Sequence, residues 1–108
     1  MEALFNNLDR KNDPLWIGKE FFNSINNMLF LRTIDYLVKG TSYGDEYSAC
    51  DFPDDLEEDE APFDGVRLRY HDDEVVVSEA AFKECLSLAC KKYEEINPNK
   101  STEIKALL

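Results

Sequence analysis

The stretch GVRLRYHDDEVVVSEAAFKECLSLACKKYEEINP, residues 65–98, decides the fold. In its first part Val66, Leu68 and Tyr70 alternate with Arg67, Arg69 and His71, the two-residue repeat of a strand with one buried face. His71 to Glu74 can turn the chain, and Val75-Val76-Val77 can return it as the second strand of a hairpin. The period then changes. Ser78 is placed to cap a helix, in which Phe82, Leu86, Ala89, Tyr93 and Ile96 recur at spacings of four, three, four and three, with a Glu79–Lys83 ion pair expected outside. Asn97-Pro98 ends that helix, and Pro98 can open a short terminal one carrying Ile104, Leu107 and Leu108.

Upstream, helical spacing returns. Pro14 marks a helix entry, after which Ile17, Phe21, Ile25 and Met28 recur on one side while Lys19, Glu20, Asn23 and Asn26 fall on the other. The pattern runs through Phe30, Ile34, Leu37 and Val38 to Gly40, a left-handed stop, and Asn26 and Asn27 are where it can divide into two helices. A short helix is also expected over Glu2 to Asp9, with Leu4, Phe5 and Leu8 on one face. Ser42 and Asp45 have the spacing of a capping box, which predicts another short helix through Tyr47 and Cys50. The expected architecture is therefore α+β, with N-terminal helices, an acidic loop over about residues 41–64, a β-hairpin and C-terminal helices in one domain over residues 1–108.

Charge sets this chain apart more than hydropathy does. Its 108 residues carry a formal charge of −11, and residues 40–66 alone hold ten acids and no base, whereas the flanking segments are close to neutral. Like charges packed within a Debye length of about 8 Å repel one another, so stability alone does not favour the run. A solubilising loop would account for it, but such loops lack anchors. Here Tyr43, Tyr47, Phe52 and Phe63 are interleaved with the acids, and aromatic residues are enriched in binding hot spots. The residues expected to meet a partner are Asp45, Glu46, Tyr47, Asp51, Phe52, Asp54, Asp55, Glu57, Glu58, Asp59 and Glu60. Arg67 and Arg69 share the polar face of the first hairpin strand and can neutralise some of these acids within the molecule.

Catalytic and cofactor chemistry find little footing. His71 is the single histidine and falls at a turn, with Ser78 as its one nearby nucleophile. The acids do not follow the calcium-loop spacing, a carboxylate pair for glycoside hydrolysis needs a partly desolvated cleft, and phosphate-gripping or nucleophile-elbow motifs are missing. The negative field repels nucleic acid. The three cysteines, Cys50, Cys85 and Cys90, are odd in number, without a CxxC pair, and read as buried thiols and not as a disulfide or zinc framework. No apolar run approaches the roughly 20 residues of a membrane span, and the start lacks a signal-peptide pattern, so a cytoplasmic protein without cofactor or metal is expected.

Residues 63–100 resemble the C-terminal half of contact-dependent growth inhibition (CDI) immunity proteins directed against ribonuclease toxins. The resemblance lies in the Phe63-x-Gly65-Val66 strand, the acidic turn, the Glu74-to-Ser78 strand ending in a cap, and the Ala89-Cys90-x-x-Tyr93 helix ending in Asn97-Pro98. The Tyr43-Gly44-x-Glu46 segment and the aromatic-rich first helix are similar too. The resemblance implies a cytoplasmic antidote, not an enzyme, that pairs one-to-one with a toxic nuclease domain and blocks its active site. A ribonuclease must present a basic cleft to RNA, and an acidic surface can occupy that cleft as a phosphate mimic. The alternative of another class is an acidic adaptor, or nucleic-acid mimic, that regulates some other host protein.

Overall fold

The computed structural model describes residues 3–55, 59 and 61–108. Helix α1 (Trp16–Asn23) and helix α2 (Phe30–Val38) are separated by a 3-10 turn over Asn27–Leu29, so the division at the asparagines is real. The Asn26 side chain causes it by accepting the N–H of Met28 at 2.8 Å, which takes that donor out of an α-helical ladder. Helix α2 stops at Gly40, whose φ is +76°. There the N–H of Thr41 bonds to Tyr36 O and that of Gly40 to Leu37 O, the paired bonds of a left-handed helix ending.

Four antiparallel strands follow in spatial order: β1 (Tyr43–Gly44), β2 (Ser48–Asp51), β3 (Val66–Tyr70) and β4 (Asp73–Val77). The β3–β4 hairpin forms where the alternation places it, with the turn tightened to His71 and Asp72. His71 has a φ of +54°, which primed hairpin turns require at their first central position. The capping-box helix expected at Ser42 and Asp45 does not form. Asp45 Oδ1 instead accepts the N–H groups of Tyr47 (2.8 Å) and Ser48 (3.0 Å), and Ser42 Oγ accepts that of Phe52 (2.9 Å). The same side-chain chemistry thus closes a β-turn, because pairing of β2 with β3 offers residues 48–51 a full ladder that one helical turn cannot.

The helix expected over residues 2–9 is also not formed among the described residues 3–9. Asn23 takes both backbone groups of Phe5, and Asn7 has a φ of +55°, so the segment runs irregularly while Leu4 and Phe5 still enter the core.

Helix α3 (Glu79–Ile96) is capped by Ser78, whose Oγ accepts the N–H of Ala81 at 3.1 Å. A 3-10 turn at Pro98–Lys100 leads into α4 (Ser101–Leu107). Glu79 and Lys83 form no ion pair, although both line one surface groove. The helices cover one face of the sheet. Cys50, Leu68 and Val75 sit side by side across β2, β3 and β4 and meet Phe21, Phe22 and Phe82 in the core. Phe30 stacks on Tyr93 with ring centres 4.3 Å apart, which joins α2 to α3.

Candidate partner-binding surface

The acidic segment does not form one loop. Its first part is built into the sheet, and the strand β2, four residues long at about 3.3 Å each, holds two groups of predicted residues on the order of 10 Å apart. At one end is the β1–β2 turn with Asp45, Glu46 and Tyr47. At the other are Phe52, Asp54 and Asp55, followed by Asp59. Glu57, Glu58 and Glu60 lie outside the described residues.

Asp45 is committed to its turn. The N–H groups of Tyr47 and then Ser48 favour its charged form, and hold its carboxyl below the ordinary range. Tyr47 is 61% exposed, and its ring lies 5.5 Å from that of His71. The antiparallel meander sets the β3–β4 turn beside the β1–β2 turn, and the His71 N–H bonds to Tyr47 O. Exposed Asp72 and Asp73 therefore border the same tip as Glu46 and Tyr47. Sequence spacing did not single out those two acids, since the partnership of the two turns depends on the β2–β3 register.

Asp51 points onto the open face of the sheet. Its Oδ2 lies 3.2 Å from Arg67 Nε and 3.5 Å from Arg69 Nε, so this acid is balanced inside the molecule. Phe52 is half-buried and packs edge-on against Phe82, with ring centres 5.6 Å apart; it anchors the strand to α3. Asp55 accepts the N–H of Ser42 at 2.7 Å, which lowers its pKa. Among the described residues, Glu46, Asp54, Asp59 and Asp64 have no hydrogen bond or ion pair and are exposed. Within residues 40–66 these are the described side chains whose charge is available to a partner, and exposed Asp72 and Asp73 add theirs at the tip.

A family profile described as CDI immunity protein matches residues 14–108. The chain belongs to the CDI immunity protein family. Family membership gives this CDI immunity protein a cognate toxin as its partner, and the family generally acts without catalysis. A comparison with curated proteins finds no significant match. The unpaired acids, the exposed tip and the groove bounded by Val38, Phe52, Pro53, Phe82, Lys83 and Leu108, about 840 Å³ in volume, are the surfaces it offers. Among the described residues there is no grouping of three or more His, Cys, Asp or Glu side chains arranged to hold a metal ion, and no helix long and apolar enough to cross a membrane.

Proposed function

We propose that this CDI immunity protein neutralises a ribonuclease toxin in the cytoplasm by laying its acidic surface over the basic cleft with which the toxin holds RNA. The observation that carries this reading is the concentration of ten acids in residues 40–66, several of which the fold leaves unpaired. A scaffold that balances Asp51 with two arginines has the means to neutralise acids internally, yet among the described residues Glu46, Asp54, Asp59 and Asp64 receive no such partner. Self-repulsion among them is relieved when a positively charged surface docks. The same field steers association, and on-rates rise tenfold to a thousandfold in such cases.

Inhibition in this reading is stoichiometric binding, one chain to one toxin domain, with Tyr47 as the aromatic anchor beside the acids. It is tested by expressing the toxin domain encoded next to this chain, with and without the chain, while following growth and RNA integrity. Rescue of both is expected. Growth arrest with intact RNA, relieved by the chain, would keep the antidote and reject the ribonuclease.

A further inference from the structure

Strand β4 lies at the edge of the sheet. One side pairs with β3, and the other has no strand beside it among the described residues. The two-residue turn makes Tyr70 and Asp73 the hydrogen-bonded pair that closes the hairpin, so Leu68 with Val75 and Val66 with Val77 are bonded likewise. Glu74 and Val76 consequently turn their N–H and C=O groups to the open edge, where no backbone bond from the described residues meets them. As an edge the strand is protected only at its first end, by the charges of Asp73 and Glu74. No proline or lysine interrupts residues 73–77, the register with β3 has no bulge, and Val76 is 44% exposed.

Charge indicates what fits there. Asp72, Asp73 and Glu74 crowd one end of β4, and Asp64 and Glu79 flank the other, with Val75 to Val77 between them. A second copy pairing antiparallel would set Asp72, Asp73 and Glu74 of one molecule against Asp64 and Glu79 of the other at both ends of the pair, on two molecules that each carry −11. A segment with an apolar middle and basic flanks meets complementary charge at both ends.

We propose that the free edge of β4 takes up an extended, lysine- or arginine-flanked segment of the toxin as a fifth strand of the sheet. This rests on the reading of the chain as an antidote to a basic toxin domain. Main-chain bonds from Glu74 and Val76 hold the added strand, and the acids at the two ends select it.

Amide hydrogen exchange of the intact chain, alone and with the toxin domain encoded next to it, tests the proposal. The amides of Glu74 and Val76 exchange quickly in the free chain and slow at least tenfold in the complex. Val76→Pro removes one outward N–H without touching a bond to β3 and weakens toxin binding at least tenfold; Val76→Lys, which keeps the backbone, weakens it by charge repulsion. If Val76→Pro does not fold, exchange on the unmodified chain and Val76→Lys still decide. Tight toxin binding that leaves both amides unprotected overturns the edge proposal while the antidote reading stands. No toxin binding by the unmodified chain overturns both, and concentration-dependent protection of these amides without toxin replaces the toxin strand with a second copy.

Discussion

Asp51 on β2 and Arg67 on β3 are directly opposed in the register, and their side chains meet at 3.2 Å on the open face of the sheet, each about one-fifth exposed. Arg69 approaches the same carboxylate oxygen, and Glu74 comes within 3.9 Å of Arg67 from β4, so the charges link three strands. This pairing takes Asp51 out of the set of acids that face a partner. Asp51→Ala strands two guanidinium groups without that carboxylate, and the expected loss is about 1–2 kcal/mol, between an exposed and a buried pair. Urea unfolding measures it. Toxin affinity should change less than stability does, and a hundredfold affinity loss with unchanged unfolding would reassign Asp51 to the interface.

Asn23 replaces a strand partner for the N-terminal segment. Its amide oxygen accepts the N–H of Phe5 and its amide nitrogen donates to Phe5 O, both at 2.9 Å. Asn23→Ala leaves both backbone groups of Phe5 unsatisfied beside the core, with an expected cost of about 1–3 kcal/mol. The Phe5 amide should then exchange far faster while amides of β3 keep their protection. Equal protection of Phe5 in both proteins would show that burial of Leu4 and Phe5 alone holds the segment.

The elements whose signals are local were legible in the sequence. The alternation of Val66, Leu68 and Tyr70, the Ser78 cap and the stripe from Phe82 to Tyr93 each contain their own cause, and each is found. Residues 42–51 were misread because Ser42 and Asp45 bond backbone N–H groups equally well in a helix start or a turn, and the choice is made by β3, some 16 residues further on at Arg67. The candidate site was legible as a composition and not as a shape. Which acids are consumed by the fold, as Asp45, Asp51 and Asp55 are, depends on the register of β2 and on where Ser42 and Arg67 come to lie.

Gly44 is required by the approach of β1 to β2. A Cβ there would stand 2.6 Å from the Ala49 Cβ and 2.7 Å from Ser48 O, closer than such atoms can sit, and one of these neighbours is backbone. Gly44→Ala should push β1 away from β2 at an expected cost of about 1–3 kcal/mol. Loss of protection confined to Asp45, whose N–H bonds to Ser48 O at 2.8 Å, would locate the damage at this turn. Unchanged stability would mean that β1 can shift freely.

All three thiols are buried, and burial is the first cause that pushes each of them up: Cys85 to about 12, Cys90 to about 11, and Cys50 further still. The ordinary value of 9.0 applies to the unfolded chain. Because the folded values are raised, the stabilisation is complete below pH 9 and is lost as pH rises from there through the folded values, as the unfolded thiols ionise first. At pH 10 this costs on the order of 1 kcal/mol per thiol relative to pH 8. Urea unfolding at the two pH values checks the slope. A thiol reagent at pH 8 should label three cysteines in urea and label the native chain only at the rate of unfolding; rapid native labelling would contradict the burial.

The charge left over by the fold should govern how fast the toxin is captured. Glu46, Asp54, Asp59 and Asp64 support no bond among the described residues, so replacing them with Gln or Asn removes four negative charges without removing a contact. The fold should be kept, with a slight gain in stability as self-repulsion falls. Association at low salt should slow by about tenfold or more and lose much of its salt dependence, while dissociation changes less, because steering acts on encounter. Stopped-flow mixing with the toxin domain separates the two rates. Asp51→Asn removes a charge that Arg67 and Arg69 already balance, and should slow encounter much less than any of the four unpaired acids does. An on-rate that the fourfold variant shares with the unmodified chain across salt would mean that the acids do not draw the partner in, and that affinity comes from Tyr47 and the edge of β4 instead.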